Sequence, residues 1–137
     1  MTEQSYPKYR HHLNLLMKRM SKELPGPTAG FAQLHSTSLA DGVLSRKHKE
    51  LTALGIAIAA RCDACIAYHV HGALRAGATR PEIVETIGVA MMMGGGPATM
   101  YGCHAFEALE QFETERAEDA AQKQAVRKAI VDGASGE

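Results

Sequence analysis

With 137 residues and fifteen Lys and Arg balancing fifteen Asp and Glu, the chain suits one globular domain and lacks the basic excess of a nucleic-acid binder. A content of 45% apolar and 22% charged residues excludes a disordered or fibrous chain. The start, Met1-Thr2-Glu3-Gln4, has neither a basic segment nor an apolar signal core, and three cysteines are an odd number; together these point to a reducing, cytoplasmic setting without a structural disulfide framework.

The apolar pattern is helical throughout, with no sustained strand alternation, so the expected fold class is all-α, with about six helices in a single domain over residues 1–137. A first helix is predicted over Tyr9 to Glu23, with Leu13, Leu16, Met17 and Met20 on its inner face and Pro25-Gly26-Pro27 as its stop. A shorter second helix, about Ala29 to Leu39, turns Phe31, Leu34 and Leu39 inward. The third starts after Ser45, a good N-cap, and is apolar on all sides from Leu51 to Ala60, as a buried helix is. Arg61 to Asp63 interrupts it, and the fourth runs from near Cys62 or Asp63 to Arg75, ending at Gly77. The fifth opens on the capping box Thr79-x-x-Glu82 with Pro81 in its first turn. The uncharged run Thr86 to Phe106 is long enough to span a bilayer, but Gly94-Gly95-Gly96-Pro97 divides it, so it reads as two helices, the sixth covering about Ala98 to Glu118. The alanine-rich tail, 119–137, is expected to extend this helix, to pack on a neighbouring subunit or to fray.

Chemistry concentrates in Arg61-Cys62-Asp63-Ala64-Cys65-Ile66-Ala67-Tyr68-His69-Val70-His71. Cys62 and Cys65, three apart, share a helix face, with Cα atoms about 5 Å apart and within reach of a disulfide. His69 lies over the same face one turn later. A helix start favours a thiolate, and a histidine one turn away accepts its proton. Glu50, twelve residues before Cys62, is a candidate fourth member. By periodicity alone it belongs instead to the solvated first turn with Lys47 and Lys49.

Glu50 followed by Cys62-x-x-Cys65-x-x-x-His69 resembles the signature of the alkylhydroperoxidase D (AhpD)-like group of the carboxymuconolactone decarboxylase family. Met91-Met92-Met93-Gly94-Gly95-Gly96-Pro97-Ala98 and Tyr101-Gly102-Cys103-His104-Ala105 are also similar to its single-domain members. The resemblance covers about residues 44–112 and implies an all-α AhpD-like bundle assembled as a homo-oligomer, trimer or hexamer. It implies a thiol-dependent peroxidase or disulfide oxidoreductase without bound cofactor. Cys65 would be the attacking thiolate, Cys62 the resolving thiol, and His69 with Glu50 a proton relay through a water. The partners would be a hydroperoxide or disulfide substrate and an external thiol reductant or redox protein, with no nucleic acid or membrane. Better-studied members carry a histidine where this chain has Ala64, and decarboxylating members lack the cysteine pair.

Two other readings of the motif stand beside this one. In the first, Cys62, Cys65 and His69 bind zinc, with Cys103, His104 or His71 as fourth ligand, although three ligands on one helix is an unusual set. In the second, the cysteines are small core residues of a structural oligomer. Tyr68 and His104 are candidate pocket residues whose plainer roles are packing and a hydrogen-bonded core position. His71 is expected at the surface, Cys103 in a structural position, His11-His12 in solvent, and Met91-Met92-Met93 in adaptable packing.

Overall fold

A computed structural model of the chain describes residues 4–135. Met1-Thr2-Glu3 and residues 136–137, parts of the leader and tail readings, lie outside the described residues. Five helices follow in order: α1 (Tyr6–Glu23), α2 (Pro25–Leu39), α3 (Arg46–Ala59), α4 (Asp63–Arg75) and α5 (Arg80–Ala134). No strand occurs among the described residues, and the fold class is all-α.

The helix ends have local causes. α1 begins three residues earlier than periodicity suggests because Pro7 sits in its first turn, where a missing N–H costs nothing. For the same reason Pro25 and Pro27 do not open a gap. They start α2 directly after Leu24, so α1 and α2 meet at a single residue. Ser45 caps α3 by accepting the His48 N–H, and Thr79 and Glu82 form the expected capping box at α5. The fifth and sixth predicted helices join across one residue, Gly95, whose φ of 70° and ψ of −150° are non-helical. With that bend counted, the described residues form six helical segments. The tail extends the last of them to Ala134, exposed throughout.

The core is built mainly by α3, α4 and α5, with α1 laid across α4 and α5 and contributing Tyr6, while α2 packs on α1 and α3 and touches α4 through His35. Leu54 and Ile58 of α3, Ile66 and Val70 of α4, and Ile83, Leu109 and Phe112 of α5 are fully buried. Alanines at 57, 67, 73, 90, 98, 105 and 108 fill the contacts between them and let the helices approach closely. At the α5 bend, a Cβ on Gly102 would lie 3.0 Å from Ile87, so the two halves of α5 close on each other there.

Several expected inner faces are not inner in the single chain. Leu16, Met17 and Met20 of α1 are exposed, as are Phe31 (59%) and Leu34 (62%) of α2; only Leu39 of the predicted α2 face is buried. Helix α3 is not buried on every side, since Ile56 faces out (63%). The physical reason is common to all: among the described residues no further layer covers α1, α2 and the outer side of α3. Met92 and Met93 are exposed too, so they are not packing residues of this core. No helix among the described residues is long and apolar enough to cross a membrane.

Candidate functional site

The turn between α3 and α4 sets the position of the cysteine pair. Arg61 adopts a left-handed conformation (φ 58°), the Arg61 N–H bonds to the Ile58 carbonyl, and the Cys62 N–H bonds to the Ala57 carbonyl. This is the double bond pattern of a Schellman stop, usually built on glycine. It delivers Cys62 as the N-cap of α4, and its Sγ accepts the Cys65 N–H at 3.1 Å. Cys62 and Cys65 are joined as a disulfide with Cα atoms 5.2 Å apart, both partly buried.

Across the α3–α4 contact, Glu50 and His69 meet. The His69 Nδ1 lies 2.8 Å from Glu50 Oε2, and the Arg46 guanidinium donates to Glu50 Oε1 at 3.2 Å. Because a carboxylate only accepts, the proton sits on Nδ1 and leaves Nε2 as the working nitrogen of the imidazole. Glu50 is 2% exposed, not a member of the solvated first turn. Periodicity misplaces it because it is the first α3 residue that faces α4. Burial pushes its carboxyl up, but the hydrogen bond and charge of His69 and the Arg46 guanidinium outweigh this and hold it below the usual carboxylate range. Gly72, one turn after His69, makes the room: a Cβ there would stand 2.7 Å from the Glu50 carboxyl carbon and both oxygens.

This pair lines a cavity of about 880 Å³ that is also bordered by Arg10 of α1, Arg75, and His71. Tyr68 lines it as well; its hydroxyl donates to Asn14, and the Arg10 guanidinium lies over its ring, 5.8 Å from the centroid. The His35 ring stacks on that of His69 at 6.2 Å between centroids. His71 is not a surface residue. It is half-buried against the edge of Phe112, and burial together with the Arg10 and Arg75 charges pushes its pKa down to about 4, against a small opposing pull from Glu50. The sequence reading placed His71 at the surface, or as a fourth zinc ligand, and did not single out Arg10 or Arg75, because their convergence depends on how α1 crosses α4.

His104 does not reach this cavity. Its Nδ1 lies 2.7 Å from Asp63 Oδ1, which also accepts the Tyr6 hydroxyl at 3.2 Å, so it braces the first turn of α4 from the α5 side. Cys103 is free and exposed rather than packed in a structural position. The zinc set is not assembled. Cys62 and Cys65 bind each other, Glu50 occupies the His69 Nδ1, and among the described residues no group of three or more His, Cys, Asp or Glu side chains gathers around one point.

Comparison with known proteins agrees with this architecture. A carboxymuconolactone decarboxylase family protein of Legionella pneumophila, crystallised in an apo form, superposes with a TM-score of 0.77 at 36% identity, over 80% of this chain and 98% of that one. A Thermotoga maritima protein of the same family, described as a candidate for the antioxidative response, superposes with a TM-score of 0.64 at 32% identity, over 67% of this chain and 95% of that one. An uncharacterized protein of Cupriavidus necator is 33% identical over 100 residues, 71% of this chain and 88% of that protein. The sequence profile of the carboxymuconolactone decarboxylase family matches residues 25–110, so the chain belongs to that family.

Proposed function

We propose that the chain is a thiol-dependent peroxidase or disulfide oxidoreductase working through Cys62 and Cys65, with His69 and Glu50 moving the protons. The observation that carries this reading is a disulfide at the first turn of α4, with a hydrogen-bonded imidazole and buried carboxylate one turn farther on. In the reduced protein His69 takes the Cys65 proton, and the thiolate attacks a hydroperoxide oxygen. The S–O bond forms, the O–O bond breaks, and the alkoxide leaves with the proton from His69. The Cys62 sulfur then attacks the Cys65 sulfenic acid. The S–S bond forms, and hydroxide leaves as water with the Cys62 proton. With a disulfide as oxidant, Cys65 forms a mixed disulfide that Cys62 resolves. An external dithiol or redox protein returns two electrons and two protons. Glu50 holds His69 in one tautomer and steadies its cationic form.

One contact favours the opposite order of the sulfurs. The Cys65 N–H points at Cys62 Sγ, and an N-cap thiolate is the form that a helix start stabilises. One experiment tests both orders. One equivalent of hydroperoxide added to the reduced protein is expected to remove two hydrogens, mapped by mass spectrometry to Cys62 and Cys65. An unchanged mass rejects the redox reading. Of Cys62→Ser and Cys65→Ser, the variant that accumulates sulfenic acid retains the attacking sulfur; the expected one is Cys62→Ser, while Cys65→Ser loses turnover.

We also propose a homo-oligomer as the working form. The exposed apolar residues of α1 and α2 support it.

A further inference from the structure

The cavity beside His69 holds more positive charge than its own acids neutralise. Its carboxylates are Asp41 and Glu50. Glu50 is taken by Arg46 and His69, and Asp41 accepts the Arg46 backbone N–H at 2.6 Å. Lys47, on the same rim, is turned to Glu82 at 3.1 Å. Arg10 and Arg75 line the cavity and form no ion pair among the described residues.

The Arg10 Nε is buried and bonds to nothing among the described residues, so an anion in the cavity would be met by the terminal nitrogens of this guanidinium and not by Nε. Tyr68 lies under this guanidinium, and Asn14 holds the Tyr68 hydroxyl, so its direction is fixed rather than free. Arg75 is exposed at the mouth of the cavity and Arg10 half-buried, and the planar fork of each guanidinium matches the two oxygens of a carboxylate or phosphate. His71 lines the same cavity, and its burial keeps it neutral there, a polar lining group without charge.

We propose that this cavity binds a terminal oxyanion, carboxylate or phosphate, of the molecule that reacts with the cysteine pair, with Arg10 and Arg75 as its ligands. The substrate would then enter with its charged end on these two residues and its reactive end toward the α4 first turn. The substrate part of this inference rests on the redox reading above; the anion site itself does not.

Binding is measured first, on the disulfide form, so that no turnover is needed. Inorganic phosphate and acetate are titrated separately by calorimetry at constant ionic strength. Saturable binding of either anion is expected, weakened about tenfold or more in Arg10→Gln and in Arg75→Gln, as loss of a charge-assisted bond predicts. Lys123→Gln on the exposed tail should bind as the parent does, and Arg10→Lys should keep part of the affinity. The anion bound more tightly names the head group. Absence of saturable binding, or equal binding in both arginine variants with their helical circular dichroism intact, overturns the proposal.

Turnover is measured second, with a hydroperoxide carrying a terminal carboxylate and with its methyl ester. The acid is expected to show at least a tenfold higher kcat/KM, and the ratio should fall toward one in Arg10→Gln. Anion binding without any such preference overturns the substrate assignment. Anion binding in a protein that peroxide leaves unchanged rejects the redox reading alone.

Discussion

At the scale of single residues, Gly72 decides whether Glu50 and His69 can pair. In Gly72→Ala the added methyl would occupy the place of the Glu50 carboxyl group, so the carboxylate must leave His69. Alanine in a helix regains about 0.5–1 kcal/mol over glycine, which offsets part of the cost, so the fold should persist. Turnover should nevertheless fall by about tenfold or more, the usual size of a lost base-orienting contact. The hydrogen-bonded Nδ1 proton of His69, followed by nuclear magnetic resonance, should lose its protected signal as it does in Glu50→Gln; a retained signal would show that the pair survives. Titration also sets a stability profile. The His71 pKa is lowered in the fold to about 4 from an ordinary value of 6.5. The unfolded chain therefore takes up a proton across that window that the folded chain refuses. Stability from this source is complete above pH 6.5, falls as pH drops through the window, and levels off below about 4; the full shift corresponds to about 3 kcal/mol, reduced to on the order of 2 kcal/mol by solvent screening at this half-buried site. Glu50, whose folded pKa is lowered, contributes stability that is present above its ordinary value and lost on further acidification. Urea unfolding between pH 7 and 4 should show the first slope in the parent and its absence in His71→Asn.

At the scale of elements, three positive-φ residues shape the helix ends and bends among the described residues: Arg61 before α4, Gly77 after it and Gly95 within α5. Gly95 bends α5 with a backbone conformation that suits only glycine, and Gly96 beside it has open space around its Cα and no such φ. Gly95→Ala should cost about 1–3 kcal/mol, whereas Gly96→Ala should be neutral or stabilising by about 0.5–1 kcal/mol. Thermal melts of the two variants side by side check this; equal melting temperatures would mean that the bend is not specified by Gly95. Arg61 is the converse case, a left-handed position without glycine. Arg61→Gly relieves its strain and should stabilise the α3–α4 turn by about 1 kcal/mol while leaving the Schellman bonds that place Cys62.

At the scale of the whole molecule, the core lies mainly in α3, α4 and α5 with Tyr6 of α1 closing it, and the outer faces of the first two helices are uncovered. Phe112 is 1% exposed where α5 meets the His71 ring, so Phe112→Ala should cost about 3–5 kcal/mol and also loosen the cavity wall. Phe31→Asp with Leu34→Asp touches no buried position. If those faces join subunits, sedimentation velocity should show a multimer in the parent and a smaller species in the double variant, with helicity unchanged. A parent that sediments as one chain would remove the oligomer reading.

The sequence by itself determined the helical class, most helix limits, and the local dithiol, because these depend on contacts within a few residues: caps, proline positions, and three- and four-residue spacing on one helix face. It also carried the family resemblance, whose Glu50–Cys–Cys–His spacing is a one-dimensional pattern. The tertiary structure alone decided the rest. Glu50 reads as solvated until α4 is laid against α3 and Gly72 opens a space for its carboxyl. His71 reads as exposed until Phe112 covers it, and of the two roles open to His104, a hydrogen-bonded position or a pocket wall, the packing of α5 on α4 supplies the hydrogen bond to Asp63. Arg10 is 58 residues from Tyr68 in sequence, and no periodicity within α1 foretells that its guanidinium lies over that ring. Such pairings are set by how helices cross, a property of side-chain volumes summed over the core, which no local window of residues contains.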